Sequence, residues 1–238
     1  MDGRPTRDNS RRAVDPGPEA AWSCRGVEAL SILTLPGVRD ATSERGILAH
    51  MSLPLARTRI RIVTGATALL AGSAWVAKDI GGRVSPDHDY WDCNSTYDYV
   101  LNGVDTVAFL ALALTVLGLV ELFRREIGGR KPWIGSLAAA GFAAAGLANL
   151  FEHCAGLEAL GFVYVVGLML GMLLLAAFIL SLRSATVASW VVWLLLVGTG
   201  AALLLANQGG FVAFGGAWLV LGVVLIQLSR RESRAAAA

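Results

Sequence analysis

The chain has 238 residues, 55% of them hydrophobic, a mean hydropathy of +0.59 and a formal net charge of +2. That is too apolar for an ordinary soluble domain and belongs to the membrane class. The charge also fails to mark a nucleic-acid binder, which needs a folded basic face with groove-reading or stacking elements; no nucleic acid is expected as a partner.

Residues 1–57 are rich in Arg, Pro, Asp, Ser and Gly and carry no sustained apolar period. They read as a disordered cytoplasmic tail. Arg11-Arg12 is followed by no apolar region at the distance a twin-arginine signal requires. From Met51 the chain runs through a short basic leader into the first apolar run, so Met51 is a natural alternative start.

Six apolar runs follow within 58–229, at about 62–78, 101–123, 133–152, 160–182, 187–207 and 211–228. Each approaches the ~20 residues a helix needs to cross ~30 Å of hydrocarbon. The predicted fold is all-α: an integral membrane protein with a six-helix transmembrane bundle, closed by a short tail at 230–238. The first run reaches that length by extending through Lys78, whose stem can snorkel to the interface. It is a retained span rather than a signal peptide, because five more runs follow it and no small-residue cleavage site precedes a soluble domain.

Basic residues in the flanks set the orientation. Arg57, Arg59, Arg61, Arg124, Arg125, Arg130, Lys131, Arg183, Arg230, Arg231 and Arg234 fall on one side, against Lys78 and Arg83 on the other. This predicts cytoplasmic N- and C-termini, as an even number of spans requires. The Ala-, Gly- and Arg-rich, Lys-poor composition points to a bacterial inner membrane, where the sequon Asn94-Ser95-Thr96 has no glycosylation role.

Between lipid-solvated helices there is no hydrophobic drive, so association depends on close backbone contact at small residues. Gly65, Gly72, Gly141, Gly146, Gly198, Gly215 and Gly222 suit packing within one bundle. The G-x-x-x-G of Gly167 and Gly171 offers the same, or a homodimer face. Trp75, Trp133, Trp190 and Trp218 sit in the end thirds of their spans and read as interfacial anchors. Leu147-Ala148-Asn149 and Leu205-Ala206-Asn207 end two spans alike, a match short enough for chance.

The predicted sidedness sorts the polar residues. Asp79, Asp105, Asn149, Glu152, His153 and Asn207 fall at outer corners and form a candidate polar cluster, within which Asp105, Glu152 and His153 are candidate acid/base groups. Asp87, His88, Asp89 and His153 supply metal-ligand chemistry in a spacing that matches no helical ligand motif. Cys93 and Cys154 both fall outside, where a disulfide would tie down the first outer loop. The histidines His50, His88 and His153 lie at ends or in loops, which rules out a haem held across the bilayer. No phosphate-binding, nucleophile-elbow or dinucleotide fingerprint occurs, and no cofactor is implied. The sequence therefore reads as a multispanning membrane protein, an accessory subunit or small-molecule permease; the competing reading is a membrane-embedded enzyme with an acid/base or metal site at the outer face.

Overall fold

A computed structural model describes residues 39–84, 95–129, 131–155, 157–184, 188–205 and 208–237. Side chains are described from residue 56 onward, except at 153–155, 158, 184 and 236–237. The chain forms two units, Met1–Ile47 and Leu48–Ala238. In the first, the described residues 39–47 are helical. The second holds all the apolar runs.

The fold is all-helical, with α1 (Arg39–Val84), α2 (Thr96–Ile127), α3 (Lys131–Ala155), α4 (Gly161–Ser181), α5 (Ser189–Leu204) and α6 (Gly210–Ala237). Five of these contain stretches long and apolar enough to cross a membrane: Ala56–Val84, Thr96–Ile127, Lys131–Glu152, Gly161–Ser181 and Gly210–Ala235. The sixth, α5, has 16 residues. At 1.5 Å per residue that is about 24 Å, short of a ~30 Å hydrocarbon layer. Helices suit this solvent because every backbone hydrogen bond closes within the segment. The hydroxyls close theirs too: Thr64, Ser73, Thr115 and Thr199 each donate to the carbonyl four residues earlier, at 2.8 Å.

Helix α2 begins earlier than its apolar run implies, because Ser95 and Asp98 form a capping box. The Asp98 amide donates to Ser95 Oγ at 3.2 Å and the Ser95 amide to Asp98 Oδ2 at 2.8 Å. Helix α1 likewise starts at Arg39, inside the polar leader. The α2–α3 turn uses Gly128 and Gly129 at φ 61° and 58°, a left-handed conformation that favours glycine.

Small residues set how closely the helices approach. A Cβ at Gly72 would collide with the Gly215 backbone, and one at Gly215 with the Gly72 carbonyl. Gly65 and Gly222 are paired in the same reciprocal way. The two pairs are seven residues apart on each helix and run in opposite directions, so α1 and α6 lie antiparallel along a glycine seam. On the neighbouring side, Gly118 of α2 receives the Thr64 side chain. Gly167 and Gly171 pack on Gly141, Phe142 and Ala145 of α3, so the G-x-x-x-G face is filled from within the chain.

The core holds Trp75, Phe109, Leu112, Phe142, Phe178, Phe214 and Trp218, all essentially without solvent access. Trp75 and Trp218 are thus not interfacial anchors as their positions near span ends imply: both point inward and are 0% exposed. Trp133 and Trp190 remain on the surface, at 50% and 54%. Helix α4 leaves Phe162, Val165, Met169, Leu170 and Leu173 exposed, a face suited to lipid.

Two ion pairs gather the basic residues at one end. Arg57 joins Glu126 of α2 at 3.0 Å, and Arg61 joins Glu232 of α6. Of the candidate polar residues, Asp79, Asp105, Asn149 and Glu152 occupy the other.

Candidate functional site

The capping box fixes the first turn of α2, and with it the direction of the next two. Asp98, Asn102 and Asp105 stand at i, i+4 and i+7, one above another on a single face, and all three are buried. The same face continues as Phe109, Leu112 and Val116 into the core. The α2 stripe is therefore ionisable or amide-bearing at one end and aromatic to aliphatic below.

Four further helices, α1, α3, α4 and α6, bring side chains to this corner. From α1, Lys78 reaches Asp105, with Nζ 2.7 Å from Oδ1; the two side chains are 12% and 3% exposed. The ammonium also lies 5.2 Å from the Trp75 ring centroid and 5.6 Å from that of Phe211, which belongs to α6. Those rings stack on each other at 4.8 Å and 12°. Phe109 and Phe214 meet Trp75 edge-on at 5.0 and 5.6 Å, and Tyr164 of α4 meets Phe109 edge-on at 5.8 Å. A buried cation thus rests on aromatic faces with a carboxylate alongside, the arrangement in which the ring quadrupole adds to the ion pair. Trp75 Nε1 is buried without a hydrogen-bond partner among the described residues.

From α3, Asn149 donates its amide to Asn102 Oδ1 and, at 3.3 Å, to Thr106 Oγ1. These groups lie within a turn of Asp105 on α2. The neighbouring contacts hold the end of α1. Tyr97 donates to the Gly81 carbonyl at 2.7 Å. Asp79 Oδ2 accepts the Val212 amide at 3.2 Å, in the first turn of α6, where a carboxylate also meets the helix dipole favourably. Arg83 donates to Asp79 Oδ1 from Nε at 3.4 Å.

Of the residues singled out from sequence, Asp105 lies in the buried ion pair, Asn149 in the amide pair beside it, and Asp79, at the end of α1, against the first turn of α6. Glu152 packs its carboxylate against Gly161 at the start of α4. Asp87, His88, Asp89, Cys93 and Asn207 lie outside the described residues, as do the side chains of His153 and Cys154. Among the described residues no group of three or more His, Cys, Asp and Glu side chains converges as a cation cage.

Sequence reasoning misses Lys78, Asn102 and Asp98 as members of this cluster. By position alone Lys78 is a snorkelling side chain at the interface, and Asp98 belongs to a loop. The signal that finds Asp98 and Asn102 is Ser95-x-x-Asp98, a helix start, followed by acidic or amide residues at helical spacing that feed into an apolar stripe; no comparable signal points to Lys78.

Chemically, the arrangement is a charge-neutral pair in a low-dielectric setting with amide hydrogen bonding next to it. It is suited to holding a polar or charged group. Asp105 is engaged by the Lys78 ammonium.

No family model, no curated protein and no solved structure matches this chain.

Proposed function

We propose that this protein is a non-enzymatic multispanning membrane protein, an accessory subunit or small-molecule permease, and that the polar corner at its outer end favours the permease. The observation carrying this reading is the Lys78–Asp105 pair, buried among α1, α2 and α6 on an aromatic floor. Ionisable groups inside a membrane protein are costly to bury and mark ligand or ion sites by default. The enzyme alternative needs a free acid or base beside a substrate, whereas Asp105 is committed to Lys78. On this reading the protein lies in the cell membrane with both termini cytoplasmic. Cys93 and Cys154 then share the oxidising side and form a disulfide, which non-reducing peptide mass spectrometry tests.

Uptake of a panel of small charged molecules into proteoliposomes tests the function. The expected result is uptake by the native chain that Asp105→Asn removes while the melting transition survives. Inactivity across the panel, together with a stoichiometric partner retained from native membranes, would replace the permease by the accessory subunit.

A further inference from the structure

Lys78 fills a space whose walls are held by contacts it does not make. Asp105 Oδ1 stands 2.7 Å from its ammonium, and the Trp75 and Phe211 centroids stand 5.2 and 5.6 Å away. Trp75 is fixed by Phe109, Phe211 and Phe214. The Asp105 turn of α2 is fixed by the Ser95–Asp98 cap and by Asn149 on Asn102. A carboxylate and two aromatic faces supplied by three helices would therefore stay in place if the lysine left.

That combination recognises one chemistry. The carboxylate neutralises a positive charge and accepts an N–H, and the ring faces attract the remaining charge. Apolar walls accept an alkyl tail and disfavour a strongly hydrated inorganic cation. A primary alkylammonium fits each requirement, and the lysine side chain is itself one, an ammonium on a four-carbon stem. Lys78 is also the more exposed partner, 12% against 3% for Asp105.

We propose that Asp105, Trp75 and Phe211 form a binding site for a small primary alkylammonium, and that Lys78 is its tethered occupant, displaced when an external amine enters. This rests on the permease reading and names the substrate class of the same corner. One ammonium replaces another, so the buried carboxylate is never left uncompensated. The tether gives Lys78 an effective concentration in the millimolar range, so the native site takes external amine weakly and a chain lacking the lysine takes it at least about ten-fold more tightly.

Melting temperatures of the full chain in lipid nanodiscs, titrated with propylammonium chloride, test this. Sodium chloride controls for ionic strength, propanol for the tail alone and tetramethylammonium for charge without N–H. The expected result is a saturable rise for the native chain, at lower concentration for Lys78→Ala, and none for Asp105→Asn or for the controls. No saturable rise in either chain, or an equal response to a control, overturns the site. A response confined to Lys78→Ala also overturns it, since the walls then serve only to seat the lysine. Should Lys78→Ala not accumulate, its recovery in cells grown with propylammonium becomes the readout, and no recovery overturns the site. Propylammonium flux into proteoliposomes separates the two readings: saturable binding without flux keeps the site and removes the permease.

Discussion

Lys78 and Asp105 each make the other's burial tolerable, which gives their removal a distinctive energetic signature. Taking away one partner leaves an uncompensated charge, for which about 3 kcal/mol of lost stability is expected. Taking away both removes the desolvation cost along with the attraction. Lys78→Met and Asp105→Asn should therefore each lower the melting temperature strongly, while the double variant loses less than their sum. A double-mutant cycle in nanodiscs measures this, and additive losses would show that the two side chains do not act as a pair. Asn149 is a milder case. Its amide bonds Asn102 and Thr106 across a helix interface, and such bonds in membranes contribute roughly 0.6–1.7 kcal/mol. Asn149→Ala should cost about 1 kcal/mol, and a neutral result would mean the amide pair does not fix α2 to α3. Which charges pair was not legible in the sequence, because pairing depends on the antiparallel register of α1 and α2. Thr64 against Gly118, Thr67 against Thr115, Lys78 against Asp105 and Gly81 against Tyr97 follow one register down the interface. Nothing in composition or hydropathy specifies it.

At the scale of elements, hydropathy located the apolar runs well and their ends poorly. An apolar run reports where side chains leave water, but a helix stops where its backbone groups find other partners. The Ser95–Asp98 cap carries α2 into polar sequence, and α1 continues beyond Lys78 to Val84. The tryptophans show the same limit. Position near a span end is shared by Trp75 and Trp133, and only packing decides that the first faces Phe109 and the second the exterior. The glycines were legible as packing residues, while their pairing was not. The α1–α6 seam gives this a direct check. Gly72→Leu places a side chain against the Gly215 backbone and should abolish folding or separate α1 from α6. Gly216→Ala and Gly200→Ala meet nothing within 4 Å and should be nearly neutral. Both lie inside helices, where Ala is the better former, so any change is a stabilisation of up to about 1 kcal/mol. Thermal melts of the three variants check this, and equal damage from all three would mean that the seam is not where the helices meet.

For the second unit taken whole, the decisive feature is that its charges are sorted end from end by contacts. Arg57 meets Glu126 of α2, and Arg61 meets Glu232 of α6. The start of the α1 span, the end of α2 and the end of α6 therefore share one end, together with exposed Arg59, Arg124, Arg125, Arg230, Arg231 and Arg234. The glycine seam carries α1 and α6 in opposite directions away from it, to the end where Lys78, Asp105 and Phe211 meet. Excess Lys and Arg in short flanks stay on the cytoplasmic side during insertion. The basic end is therefore expected in the cytoplasm and the Lys78 corner outside. The one element that tests this is α5, whose 16 residues are fewer than a full crossing requires. Apolar residues flank it on both sides, Val187 and Ala188 before and Leu205 and Ala206 after, and local thinning of the bilayer accommodates a short helix at modest cost. If α5 crosses, a reporter fused at the C-terminus reads cytoplasmic, as does one after Arg130, while one after Gly156 reads outside. If α5 does not cross, the C-terminal reporter switches side while the other two hold. That outcome would contradict the Arg61–Glu232 pair, because α6 would then enter the bilayer from the opposite face. A full inversion of all three reporters would instead keep the fold and move the Lys78 corner to the cytoplasm, where its ligand would have to come from inside the cell.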